Sequence, residues 1–272
     1  MRLRILHETR YAYGEPARGL IQVMRLTPRS HDAQHVRRWR IEPSVDGALK
    51  AKEDSFGNRI HVFSADESLT EIVVRVSGEV DTFDTHGVVS GTLERVPDPL
   101  YLRETPLTAP DEALRDLAAP HAGGDALTAL HDLLAAVHRE VAFDKEPTHT
   151  ATTAAEAYAL RRGVCQDLTH IFIAAARHLG APARYVSGYF FRADGVVEQE
   201  AGHAWAEAKV PDLGWVGFDP ANGIGVGPQH LRVAVGPDYL AAAPIRGSRW
   251  GGGAETLVVR LRVDNGQSQV QG

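Results

Sequence analysis

Three short runs in this chain hold the side chains of a thiol-dependent reaction at a carbonyl carbon. Cys165, the only cysteine, stands in Arg162-Gly163-Val164-Cys165-Gln166-Asp167, where an amphipathic helical pattern begins. His203 follows in Gly202-His203-Ala204-Trp205 and Asp219 in Gly217-Phe218-Asp219-Pro220, both within strand-like sequence. The attacking species is a thiolate, yet an ordinary cysteine, with a pKa of about 8.5, is only a few per cent ionised at neutral pH. Unpaired amides at a helix start favour negative charge there. An imidazole would partner the thiolate and protonate the leaving amine, the role open to His203. Asp219 would fix one imidazole tautomer and stabilise its charged form. A lone cysteine is more often a small buried hydrophobe. Here Gln166 and Asp167 are polar and the apolar stripe starts at Leu168, which sets Cys165 at the polar mouth of the helix.

Several elements must cooperate to bring these groups together. Leu168, Ile171, Phe172, Ala175 and Leu179 form one helical stripe, closed by Gly180 and the Ala181-Pro182 breaker. Gly163 is expected to let the backbone turn sharply into that helix. On the first strand His203, Trp205 and Glu207 share a face, with Ala204, Ala206 and Ala208 on the other. On the next strand Trp215, Gly217 and Asp219 share a face. A three-residue loop at Pro211-Asp212-Leu213 would place Asp219 opposite Trp205 and diagonal to His203. A two-residue loop would send His203 and Asp219 to opposite faces. Gln166 and Trp205 are candidates for the wall of a substrate cleft, although a core tryptophan is an equal reading of Trp205. Trp215 and Tyr189 read as core, Glu207 as a supporting or surface carboxylate, and Asn222 as a cap on the turn after Asp219. His31 and His35 have i,i+4 spacing but no clear third ligand, so no metal site is expected there.

Elsewhere the pattern divides the chain. Period-two alternation in Leu3-Arg4-Ile5, Val36–Ile41 and Ile72–Val76 is punctuated by Tyr13-Gly14-Glu15-Pro16, Val45-Asp46-Gly47 and Phe56-Gly57-Asn58. That rhythm predicts an antiparallel β-sandwich over residues 1–95. Four prolines between residues 97 and 110 read as a linker. Helical spacing of Leu127, Leu130, Leu134 and Val137 behind an Asp125 N-cap, and a shorter helix over Ala154–Leu160, open an α+β core spanning 105–235. Strands are expected at 183–191, 204–210 and 214–218. In the C-terminal segment, 236–272, a Gly- and Pro-rich crossing leads to a strand over 256–263, expected to return to the N-terminal sheet, and then to a polar tail after Asp264. A net charge of -6 and a pI near 6.1 leave no footprint for nucleic acid. One cysteine excludes an intrachain disulfide and a multi-cysteine metal site. The early N-terminus is too polar for a signal peptide and no apolar run spans a bilayer, so a cytoplasmic protein without a membrane partner is the expectation. Nothing in the sequence sets an oligomeric state.

These residues resemble the bacterial transglutaminase-like superfamily, of the cysteine protease or amidase type. The likeness rests on Thr152-Thr153-Ala154-Ala155-Glu156-Ala157, the block around Cys165, and Ala183-Arg184-Tyr185-Val186-Ser187-Gly188-Tyr189. It continues through His203-Ala204-Trp205-Ala206-Glu207 and Gly214-Trp215-Val216-Gly217-Phe218-Asp219-Pro220. Arg10-Tyr11-Ala12-Tyr13 and Asp54-Ser55-Phe56-Gly57-Asn58 resemble the β-rich N-terminal region that accompanies this core, and Gly236–Tyr239 with Pro244–Gly247 its C-terminal segment. The resemblance implies a papain-like core with Cys165 as nucleophile, His203 as base and acid, Asp219 as orienter, and no metal or organic cofactor. It implies a peptide, protein or small amide as substrate, cleaved through a thioester on Cys165. Animal-type cross-linkers carry Trp after the nucleophile, where this chain has Gln166, and they need calcium sites and extra β-domains for which this length leaves no room. Hydrolysis is therefore expected over acyl transfer to a primary amine. A third reading, a non-catalytic binding module, fits poorly with an intact Cys165, His203 and Asp219. The backbone amide of Cys165 is the natural first oxyanion donor.

Overall fold

Alternation over the first 82 residues folds into five antiparallel strands in the computed structural model, which describes residues 1–266. They are β1 Arg2–Thr27, β2 Gln34–Pro43, β3 Ala48–Glu53, β4 Arg59–Ala65 and β5 Leu69–Thr82. The run Tyr13–Pro16, expected as a turn, lies instead inside the continuous 26-residue β1. There the pairing with β5 shifts register between Ala12 and Ala17. Proline and glycine mark a distortion of a strand as readily as its end. The first half of β1 pairs with β5 and the second with β4, so one strand serves both halves of a curled sheet. Tyr13, Leu20, Met24, Phe63, Ile72 and Val74 fill the space between those halves.

The chain continues through β6 Val88–Val89, α1 Glu112–Ala118, α2 Ala126–Glu140, β7 Ala142–Phe143, α3 Ala154–Leu160, β8 Arg162–Gly163 and α4 Cys165–His178. Residues 97–110 do not behave as a free linker. Tyr101, Leu107 and Thr108 are buried, and the Tyr101 ring meets Trp215 edge-on at 5.4 Å. Proline restricts backbone angles without preventing its neighbours from packing. After α4 come β9 Ala183–Phe190, β10 Glu198–Gln199, β11 His203–Val210, β12 Gly214–Asp219, β13 Ile224–Gly225, β14 His230–Gly236, α5 Tyr239–Ala242, β15 Ile245–Gly251 and β16 Glu255–Asn265. The second sheet has the order β13-β12-β11-β9-β14, with β6 on β12. Ala204, Ala206 and Ala208 are buried in one core with α4, and their small side chains let the helix lie close to the sheet. Every residue of α4 from Gln166 to Arg177 is buried, enclosed also by α1, α2 and α3.

The last strand returns to the N-terminal sheet. β16 pairs with β1 from Leu3 opposite Asn265 to Tyr13 opposite Glu255, and β15 pairs with the second half of β1. β10 adds to β16. Leu3, Ile5, Leu261 and Val263 from the first sheet share a core with Tyr189, Leu231 and Val233 from the second. The strand runs one residue past Asp264, and the tail from residue 267 lies outside the described residues. No helix among the described residues is long and apolar enough to cross a membrane.

Candidate active site

Cys165 is the first residue of α4, and the helix start is held by Asp167, two places on. Val164 has no side chain that can cap, but its amide donates to Asp167 Oδ2 at 2.8 Å, and Thr148 Oγ1 donates to the same oxygen at 2.7 Å. Asp167 thus supplies the reciprocal half of a capping box. Burial raises its pKa, and the amide and hydroxyl bonds oppose that rise. Gly163 is required by contact rather than by backbone angle. A Cβ there would lie 2.7 Å from the Asp167 side chain, whereas the left-handed residue before the helix is Arg161 at φ 54°. Cys165 is half-buried against the helical core.

β11 and β12 pair with Glu207 opposite Gly217 and Val210 opposite Gly214, leaving the three-residue loop Pro211–Leu213. Continuing that register sets Asp219 beside Trp205, one diagonal step from His203. His203 Nε2 donates to Asp219 Oδ2 at 2.7 Å, which leaves Nδ1 as the nitrogen available to a nucleophile. Burial alone would lower the His203 pKa. The Asp219 charge and hydrogen bond override it, and the nearby Cys165 adds a hydrogen bond and charge, so the value rises to about 10. Asp219 is fully buried; burial opposes its ionisation, but the charge and hydrogen bond of His203, with His230, hold it well below the usual carboxylate range.

The carboxylate gathers more donors than the sequence suggested. His230, at the start of β14, donates from Nε2 to Asp219 Oδ2 at 3.0 Å. Its Nδ1 accepts from the Gly227 amide at 3.1 Å, which fixes the proton on Nε2. Asn222 donates its side-chain amide to Asp219 Oδ2 at 2.6 Å and its backbone amide to Oδ1 at 3.2 Å, closing the turn after β12. No local motif announces His230; its role comes from the pairing of β14 beside β9. The ligand-capable atoms of His203, Asp219 and His230 lie within 4.8 Å of one another. Both histidines point a donor nitrogen at one carboxylate oxygen, an arrangement that satisfies the trio as hydrogen bonds without an ion.

Trp205, a candidate for the cleft wall, is 1% exposed and packs with Val186 and Val235, its ring edge-on to His230 at 5.1 Å. It therefore backs the histidines and cannot line an open cleft. Gln166 is also buried, and its amide reaches toward Thr150 O at a long 3.4 Å. Trp215 and Tyr189 are core residues. Glu207 is a buried carboxylate between Arg184 and Arg232. His31 and His35 sit at the start of the β2 region and not on a helix.

Removing the His230 donor should slow any reaction that depends on the His203–Asp219 geometry. We expect His230→Ala to lower kcat roughly tenfold with KM little changed, the loss of about one buried charge-assisted hydrogen bond. His230→Gln, which can still donate, should recover part of it. An unchanged kcat in His230→Ala would show that Asp219 is adequately held by its other donors.

The profile of the bacterial transglutaminase-like N-terminal region matches residues 3–81, and that of the transglutaminase-like superfamily core matches residues 115–220. An uncharacterized protein of Mycobacterium leprae is 30% identical over 287 residues, covering 96% of this chain and 98% of its own length. An uncharacterized protein of Mycobacterium tuberculosis is 29% identical over 290 residues, covering 97% and 92%. Among solved structures, a Cytophaga hutchinsonii protein named provisionally as a cysteine protease superposes with a TM-score of 0.78 at 20% identity, covering 100% of this chain and 92% of that one. That likeness is one of fold.

Proposed function

This chain belongs to the transglutaminase-like superfamily, and we propose that it is a cysteine-nucleophile hydrolase of amide or peptide bonds. The observation that carries the reading is the buried Asp219–His203 pair at 2.7 Å, with Cys165 at a helix start acting on the same imidazole. In the reaction Cys165 Sγ adds to the carbonyl carbon, and the oxygen takes the negative charge near the Cys165 amide. The proton on His203 Nδ1 passes to the leaving nitrogen as the C–N bond breaks, leaving a thioester. The now neutral imidazole takes a proton from water as that water adds to the thioester carbon, and the C–S bond breaks to release the acid. Asp219 keeps the imidazole oriented through both proton transfers.

Transfer to a primary amine would use the same thioester and differ only in what resolves it. Water is present at about 55 M, so a transferase must bind its amine and shield the acyl group from solvent. Gln166 stands where cross-linkers carry tryptophan, and it is buried beside Thr150, which favours water as acceptor. We expect millimolar primary amine to divert only a small fraction of the acyl-enzyme. Product analysis by mass spectrometry, on an amide substrate found by screening, measures that fraction. Saturable, near-complete transfer would replace hydrolase by transferase and leave the nucleophile in place. Absence of any acyl adduct on Cys165 across the screen would count against the enzyme reading itself.

A further inference from the structure

Three aromatic rings among the described residues lie against the His203 imidazole. Phe190 is 5.1 Å from it between ring centres, and Trp205 and His230 are each at 6.1 Å. Trp205 and His230 are buried, whereas Phe190 is half-buried. Phe190 also lies 4.8 Å from the His230 ring, so one side chain meets both histidines that donate to Asp219. Of the three rings, it is Phe190 that keeps surface for a ligand to meet.

The ring is presented from a fixed backbone. Phe190 closes β9 opposite His230, Gln199 Nε2 donates to its carbonyl at 3.0 Å, and the Phe191 amide donates to Gln229 O at 2.9 Å. A side chain on a rigid strand end positions a ligand better than one on a free loop. Each charged side chain in residues 191–202 is paired: Arg192 with Asp194, Glu198 with Arg262, and Glu200 with Lys145. Glu200 stands three residues before His203. Lys145 follows Asp144, whose amide donates at 2.8 Å to the carbonyl of Gly163, two residues before Cys165. The segments leading into the thiol and the imidazole thus meet in an ion pair of no net charge.

Resting on the assignment of Cys165 as nucleophile and His203 as acid, we propose that Phe190 walls the leaving-group side of the cleft and selects amides whose leaving amine carries a large apolar side chain. The leaving nitrogen must come within hydrogen-bond reach of His203 Nδ1 to take its proton, so the group it carries lies along whatever flanks that imidazole. An apolar side chain laid on the Phe190 ring removes hydrated surface from both partners. A charged side chain would lose water there and gain no partner, because the charges of the adjoining segment are already committed.

Protection of Cys165 from iodoacetamide tests the wall without requiring turnover, in the full chain at about pH 8.5, where even an ordinary thiol is half ionised. Phenylalaninamide should slow alkylation saturably, read by intact mass, while glycinamide and lysinamide at the same concentration should not. Phe190→Ala should weaken that protection about tenfold, and Phe190→Leu, which keeps an apolar side chain, should weaken it less. From a peptide library the wild type should release new N-termini that begin with large apolar residues. For these, Phe190→Ala should lower kcat/KM roughly tenfold, and for a glycine-leaving peptide it should change little. A role in packing alone would lower both equally. No saturable protection by phenylalaninamide, equal protection by all three amides, protection unaltered in Phe190→Ala, or an equal fall for both peptides would overturn the proposal. If no peptide is cleaved while phenylalaninamide still protects, the hydrolase reading fails and the apolar wall stands.

Discussion

Cys165→Ser should keep the fold and lose amide hydrolysis by roughly ten-thousandfold or more, as removal of a nucleophile does in triad enzymes. The hydroxyl is close to the thiol in size but a far weaker acid, and the imidazole here is tuned for a different task. With its value raised to about 10, His203 holds its proton through the neutral range, and in the proposed reaction it would serve first as an acid. A reaction that needs that proton should decline as pH rises through about 10. Asp219→Asn removes the charge that raises the value, so the alkaline limb of kcat/KM should move to lower pH while turnover falls by about a hundredfold or more. The same linkage acts on stability. A histidine raised above its unfolded value stabilises the fold fully below about pH 6.5, and that contribution is lost as pH rises through about 10. Measuring the limb in wild type and Asp219→Asn separates orientation from charge. A limb that stays where it was would detach Asp219 from the titration of His203, and a fully active Cys165→Ser would end the nucleophile assignment.

How much of this site the sequence disclosed depended on the kind of signal. Cys165, His203 and Asp219 lie in short runs whose periodicity fixes their elements, so the helix start could be reasoned from spacing, whereas spacing left a two- or three-residue hairpin loop open and only the strand register settles it. His230 could not, because it reaches Asp219 through the order of strands in a sheet, and no local pattern encodes that order. Trp205 misled for a related reason. Sharing a face with His203 is legible in alternation, but which part of that face is covered is decided by Val186, Val235 and Phe56 from three other segments. In the N-terminal region the alternation gave the strands but not their continuity. Gly14 and Pro16 read as a turn, while ladders that run up to Tyr13 and resume at Ala17 keep the strand continuous past them. The prolines of 97–110 likewise suggested freedom where Tyr101 and Leu107 anchor the segment.

Glu207 supplies the largest expected effect on stability. Its carboxylate is fully buried on β11, the strand that carries His203. Oε2 accepts from Arg184 Nε at 2.7 Å, and Oε1 accepts from Arg232 Nε at 2.7 Å. Arg184 is also held by Glu94 and lies 3.9 Å from the Trp215 ring centre, whereas among the described residues Arg232 ion-pairs with Glu207 and no second carboxylate. Burial works against the Glu207 charge, but Arg232 and Arg184 together hold its pKa down to about 2. A carboxylate depressed in this way stabilises the fold above its unfolded value and loses that contribution as pH falls through about 2. Glu207→Gln keeps the shape and removes the charge, which leaves the Arg232 guanidinium mostly buried without a counter-ion. Breaking one side of such a pair costs about 3–5 kcal/mol, more than the pair itself contributes over an apolar replacement. The double variant Glu207→Gln with Arg232→Met should therefore recover much of the loss, since it removes the stranded charge. Urea unfolding of the wild type, both single variants and the double variant gives the coupling directly. A cost below about 1 kcal/mol for Glu207→Gln would mean that water or a shifted arginine compensates, and the network would then be a feature of position more than of stability.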